Sequence, residues 1–235
     1  MSIKKLFIVV VLGSIVFASC NQKSSSVKLK NDIDSLSYCI GVSIGENLKE
    51  ADLPSFNTEV FRKAVEDVLA KRETKIKPEN AGMYIQEYFT KLQMEQGMKN
   101  LKEGQEFLKK NKEKKGVITT ASGLQYEVLK EGTGPHPTKD DMVSIHYKGS
   151  LIDGTVFDSS YERGQPATFA VGGVIPGFTE ALQLMTVGSK YRVWIPAELG
   201  YGAAGNPRGR IKPNSVLVFE IELLSIDSSA NASNK

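Results

Sequence analysis

Apolar positions in the first half of the chain return at helical spacing. Leu36, Ile40, Ile44 and Leu48 recur every four residues behind Asp34, a good N-cap residue, which predicts a helix over Ser35–Glu50. Asn57 can cap a second helix whose stripe is Phe61, Ala64, Val65, Val68 and Leu69. Pro78 suits the first turn of a third, and that pattern runs towards Lys115 with no further proline. At ~1.5 Å per residue it would extend roughly 55 Å. Its apolar residues crowd the first half, in Met83, Tyr84, Ile85, Tyr88, Phe89 and Leu92. The second half is mostly Lys, Glu and Gln, weakened by Gly97 and Gly104. The first half should pack, and the second should be a solvated stalk. Two short helices and part of a third make a thin core, which a second copy of the chain would complete.

At Gly116 the period changes from helix to strand, and this sets the domain boundary. Leu124–Lys130 begins a strand. Val143, Ile145 and Tyr147 then alternate with Ser144, His146 and Lys148 as in a half-buried strand. Asp153-Gly154 suits a tight turn, and the return arm carries Val156, Phe157 and Asp158. Thr168–Val171 is a short strand, Thr179–Met185 a short helix, and Tyr191, Val193 and Ile195 another strand. Gly200–Pro213 reads as a long loop. Leu217, Phe219, Ile221 and Leu223 face one way in the last strand. Several strands and one short helix predict an α+β domain, an antiparallel β-sheet curled around that helix. The divisions are 1–20, a signal segment; 21–33, a flexible tether; 34–115, a helical domain with its stalk helix; 116–227, the sheet domain; and 228–235, a disordered tail.

Composition adds few constraints. Of 235 residues 40% are hydrophobic, enough for a real core, and a net charge of +3 is too small to argue for nucleic acid. The lysine run Lys109–Lys115 reads as a solvated helix end, where the dipole favours cations. At the amino end Lys4-Lys5 precede an apolar run, Leu6–Phe17, too short for an ordinary membrane span of about 20 residues. The Phe17-Ala18-Ser19-Cys20 that follows resembles a bacterial lipoprotein box, which implies lipidation of Cys20 as the first residue of the mature protein. Cys39 lies in a helical pattern, and the two cysteines have no framework character.

Conventional catalysis finds little support. His136 lies in a proline-rich loop and His146 on the outward phase of its strand. There is no Cys/His metal spacing, nucleophile elbow or phosphate-cradling loop, so neither metal nor cofactor is expected.

The run Tyr147-Lys148-Gly149 followed by Gly154-Thr155-Val156-Phe157-Asp158-Ser159-Ser160 resembles the signature of the FKBP-type peptidyl-prolyl isomerases. The resemblance continues in Val174–Phe178, in Ile195–Gly202, and in Ile211 and Val218-Phe219. Leu36–Gly45 resembles part of the amino-terminal dimerisation module of the macrophage infectivity potentiator subgroup. The resemblance implies a homodimeric isomerase acting on X–Pro bonds of unfolded or exported polypeptides, with chaperone activity. It implies Tyr147, Phe157, Asp158 and Tyr201 as catalytic residues, and Val174, Ile175, Phe178, Ile211 and Phe219 as the substrate-binding wall. The Tyr201 hydroxyl and Ile175 N–H would hold substrate carbonyls, and Phe178 would be the floor, standing where much of the family has Trp. Ala167 replaces an aromatic found in many members. Macrolide inhibitors are implied as ligands. Export, with a lipid anchor facing the periplasm at the outer membrane or at the cell surface, is the implied location. A non-enzymatic holdase chaperone and a structural adhesin are the competing readings.

Such a site needs no nucleophile. Rotation about the amide C–N bond costs ~18–20 kcal/mol because it breaks resonance, and no bond is cleaved. An apolar pocket that favours the twisted, less delocalised amide suffices.

Overall fold

The computed structural model describes residues 27–51, 53, 55–207 and 211–227. The proposed signal segment with Cys20, residues 21–26 of the tether and the tail 228–235 lie outside the described residues. The chain divides into two compact units between Thr74 and Lys75.

The first unit carries helices α1 (Asp32–Glu50) and α2 (Thr58–Leu69). One predicted cap shifts by three residues and the other holds. Asn31, not Asp34, caps α1, its side chain accepting from the Asp34 amide at 2.8 Å; Asn57 caps α2, accepting from Val60 at 3.0 Å. No residue of α1 is buried, and Leu36, Ile40, Val65 and Leu69 are exposed.

The second unit begins with α3 (Pro78–Asn111), entered by Pro78 as expected. Seven antiparallel strands follow: β1 (Val117–Thr119), β2 (Gln125–Lys130), β3 (Met142–Leu151), β4 (Val156–Ser159), β5 (Ala167–Ala170), β6 (Lys190–Ile195) and β7 (Leu217–Asp227), with α4 (Pro176–Leu184) between β5 and β6. The spatial order is β1-β2-β6-β7-β3-β4, and β5 pairs with β3. Alternation along β3 and β7 sends Val143, Ile145 and Tyr147, and Leu217, Phe219, Ile221 and Leu223, to one face. Phe178, Ala181 and Leu182 of α4 close over that face, joined by Met185. The predicted antiparallel sheet around a short helix is thus present. Strand β1 was not anticipated, being only three residues long.

The second half of α3 departs from the sequence expectation. One of its faces is docked, while the others stay exposed as a solvated stalk would be. Gly97, Gly104 and Asn111 are its buried residues, seven apart, so they share one face. A Cβ on Gly97 would lie 3.1 Å from Pro213 Cβ, and one on Gly104 2.7 Å from Val216 Cγ2. Asn111 Nδ2 donates to Gln125 Oε1 at 3.0 Å, and Gln125 Nε2 donates to the Leu108 carbonyl at 2.9 Å. The glycines that looked like weak points are where the helix approaches the sheet domain. The first half behaves oppositely: Met83, Tyr84, Ile85 and Tyr88 are exposed.

Candidate active site

The β3–β4 hairpin positions the central residues. Gly154 takes φ +90° in its turn, as Asp153-Gly154 predicted, and the Asp153 carboxylate accepts from the Thr155 amide at 2.9 Å. Register then slips: Gly149 faces Asp158 while Ser150 faces Val156, so Phe157 is the extra residue of a bulge. The rings of Phe157 and Phe219 pass over Gly149, where a Cβ would sit 2.6 Å from one and 2.7 Å from the other. Only a residue without a side chain fits beneath them.

The aromatic side chains form one cluster. Phe178 and Phe219 meet edge-on with ring centres 4.9 Å apart, and Phe157 meets Phe219 at 5.6 Å. Tyr147 lies 6.2 Å from Phe178 and 6.3 Å from Phe219. Edge-to-face geometry suits ring quadrupoles and leaves ring faces for an apolar guest. Phe169, which sequence reasoning did not single out, completes the group at 5.7 Å from Tyr147. Ala167, two positions earlier on the same strand, packs against the same core but brings no ring to the group.

One polar knot borders these rings. The Tyr147 hydroxyl donates to Asp158 Oδ2, and Arg163 Nη1 pairs with Asp158 Oδ1. Arg163 Nη2 donates back to the Tyr147 hydroxyl at 2.8 Å, and the guanidinium lies 5.4 Å from the Tyr147 ring centre. Arg163 was also missed in the sequence, since a lone cation after a hairpin reads as surface. The available signal was its place just before Gly164, whose φ of +73° turns the chain back. Burial pushes the Asp158 carboxyl up, but Tyr147 and Arg163 outweigh burial and hold it below the usual carboxylate range. Burial, and then the Asp158 carboxylate, raise the Tyr147 phenol above its ordinary value.

The remaining predicted residues sit at the margins. Ile211 is buried in the core; Val174, Ile175 and Tyr201 pack against its edge. Tyr201 takes no part in the ring cluster, and its hydroxyl makes no hydrogen bond among the described residues. Ile175 caps α4: its carbonyl accepts from the Phe178 amide at 2.9 Å, while its own N–H has no backbone partner among the described residues. Val174 also lines a shallow groove on the outer flank of α4 with Lys139, Pro176 and Thr179. His146 stacks on Tyr161 at 4.6 Å, its Nδ1 3.0 Å from Ser160 Oγ, away from the rings. Among the described residues no three His, Cys, Asp or Glu side chains gather as a metal site.

Two family models match the chain: the FKBP-type peptidyl-prolyl cis-trans isomerase over residues 134–224, and the domain amino terminal to it over residues 33–128. The outer membrane protein MIP of Legionella longbeachae is 37% identical over 96% of this chain and 99% of its own. The FKBP-type 22 kDa peptidyl-prolyl cis-trans isomerase of Escherichia coli is 43% identical over 81% of this chain and 93% of its own. The crystal structure of FkpA from Escherichia coli superposes with a TM-score of 0.66 at 34% identity, covering 85% of this chain and 99% of that one. With both domains matched and relatives of this identity along nearly the whole length, the chain belongs to the FKBP-type peptidyl-prolyl cis-trans isomerases.

Proposed function

We propose that X–Pro bonds are turned against the ring cluster of Tyr147, Phe157, Phe178 and Phe219, beside the Tyr147–Asp158–Arg163 knot. The single observation behind this reading is that four rings form one cluster beside a carboxylate whose charge is held by two donors. A proline ring set among these rings loses little by leaving water. The planar amide is the more polar state, so an apolar surround raises it relative to the twisted one. Ile175 N–H and the Tyr201 hydroxyl hold the flanking carbonyls, and Val174 and Ile211 complete the wall. Asp158 orients Tyr147 and faces the amide nitrogen as it pyramidalises. An X–Pro exchange measurement by NMR tests this. The wild type should accelerate exchange, and Tyr201→Phe should slow it with the fold intact; equal rates for both proteins would overturn the assignment of Tyr201.

The same proposal extends to the rest of the chain. Residues 34–115 form a homodimerisation module and stalk; the exposed Leu36, Ile40, Val65 and Leu69 support this, since such stripes are normally covered. The protein is exported and anchored through lipidated Cys20, a reading supported by the Lys4–Cys20 pattern and by an outer membrane protein among its relatives. Its clients are unfolded or extracytoplasmic polypeptides, and macrolides would compete for the same rings.

A holdase activity is the second reading, favoured by the exposed Met83, Tyr84, Ile85 and Tyr88 on α3. Replacing Tyr201 and Asp158 together should then abolish isomerisation and leave suppression of aggregation in place.

A further inference from the structure

We infer that Asn214 is a positioning residue that couples helix α3 to the loop carrying Tyr201; this rests on the reading that Tyr201 meets substrate. Three observations converge on Asn214. Its φ is +56°, a left-handed conformation rare outside glycine, and Asn is among the few other residues that tolerate it. Such backbone persists where its surroundings over-determine it, commonly beside functional sites. Its backbone N–H donates to the Gly202 carbonyl at 2.8 Å, one residue beyond Tyr201. Its side-chain Nδ2 donates to the Gly97 carbonyl at 3.1 Å, in the middle of α3. One residue therefore holds the loop with its main chain and the helix with its side chain.

The neighbours enforce the same register. Gln96 Nε2 donates to Asn100 Oδ1 at 2.7 Å, which turns the Asn100 amide nitrogen towards the Pro213 carbonyl, 2.8 Å away. A Cβ on Gly97 would lie 3.4 Å from Asn214 Nδ2, so the helix backbone lies close against the clip and cannot slide without moving it. Beyond Pro213 the loop leads back to Ile211, which is bridged to Asn206 by amide–carbonyl bonds of 2.8 and 2.9 Å. A displacement of α3 is thus delivered to both Tyr201 and Ile211. In this arrangement the stalk helix sets the affinity of the pocket for peptide. Strain placed on the helix by a bound client or a second copy would be read out at the loop.

The test uses the full chain. Asn214→Gly accepts the left-handed backbone and keeps the bond to Gly202, but removes the bond to α3. Asn214→Asp keeps the shape but sets an acceptor against the Gly97 carbonyl. Both should leave the melting midpoint close to wild type, shift the amide resonances of Tyr201, Gly202 and Ile211, and raise KM for an X–Pro peptide about fivefold, the size of one neutral hydrogen bond, with kcat little changed. Gly97→Ala presses on the clip from the helix side and should move the same resonances. Should all three variants leave those resonances in place, the coupling is wrong. If the wild type turns over no X–Pro peptide, the functional reading fails, and the resonances still decide the coupling. If Tyr201→Phe is silent while they shift, only the assignment of Tyr201 fails.

Discussion

At the scale of single residues, the site depends on close approach and on one shared acceptor, the Asp158 carboxylate. Gly149→Ala puts a methyl into the space of two rings, and overpacking of this kind costs about 1–3 kcal/mol. Chemical denaturation should show that loss, and isomerisation should fall with it as Phe157 and Phe219 are displaced. Asp158 makes a prediction in pH. Its carboxyl is held below its ordinary value in the folded state, so its stabilisation is complete above the unfolded value of about 3.9 and is lost as pH falls through the folded one. The stability gap between wild type and Asp158→Asn should therefore be widest near neutrality and close in acid, as thermal melts across pH would show. The hairpin partners Tyr147, Phe157 and Asp158 were legible because alternation and an Asp-Gly turn are local signals. The bulge at Phe157 was not, since a register slip is settled by the rings packed over Gly149. Arg163 was not legible either, because its partners lie on two strands that only the folded hairpin brings together.

At the scale of elements, α3 shows one residue type in two roles. Gly82 has open space around its Cβ position, whereas Gly104 meets Val216 at 2.7 Å. Gly82→Ala should stabilise by up to about 1 kcal/mol through helix propensity alone. Gly104→Ala should destabilise despite the same gain, because the helix must lift from Val216. Opposite shifts in melting midpoint would bear this out; shifts of the same sign would remove the close packing from the account. The existence and rough limits of α3 were readable from Pro78 and the helical period. Its docking was not. A glycine within a charged helix reads as a defect unless its seven-residue spacing to a buried Asn is noticed, and the partners Pro213 and Val216 lie more than a hundred residues away.

At the scale of the molecule, the proposed dimer predicts a sedimentation mass of two chains. Leu36→Lys with Ile40→Lys should reduce it to one while leaving turnover of a short X–Pro peptide unchanged, since both positions lie in the first unit and the rings in the second. The strand order has a separate consequence for a protein that handles unfolded chains. An open rim of hydrogen-bonding groups invites an extended polypeptide to add itself as another strand, which seeds aggregates. Here the outermost strands are β1, of three residues, and β4, of four with a bulge, while β5 adds four more. Rims so brief offer little for a client to zip onto, so the proposed passage of unfolded chains across the rings would not make the enzyme the template on which they precipitate.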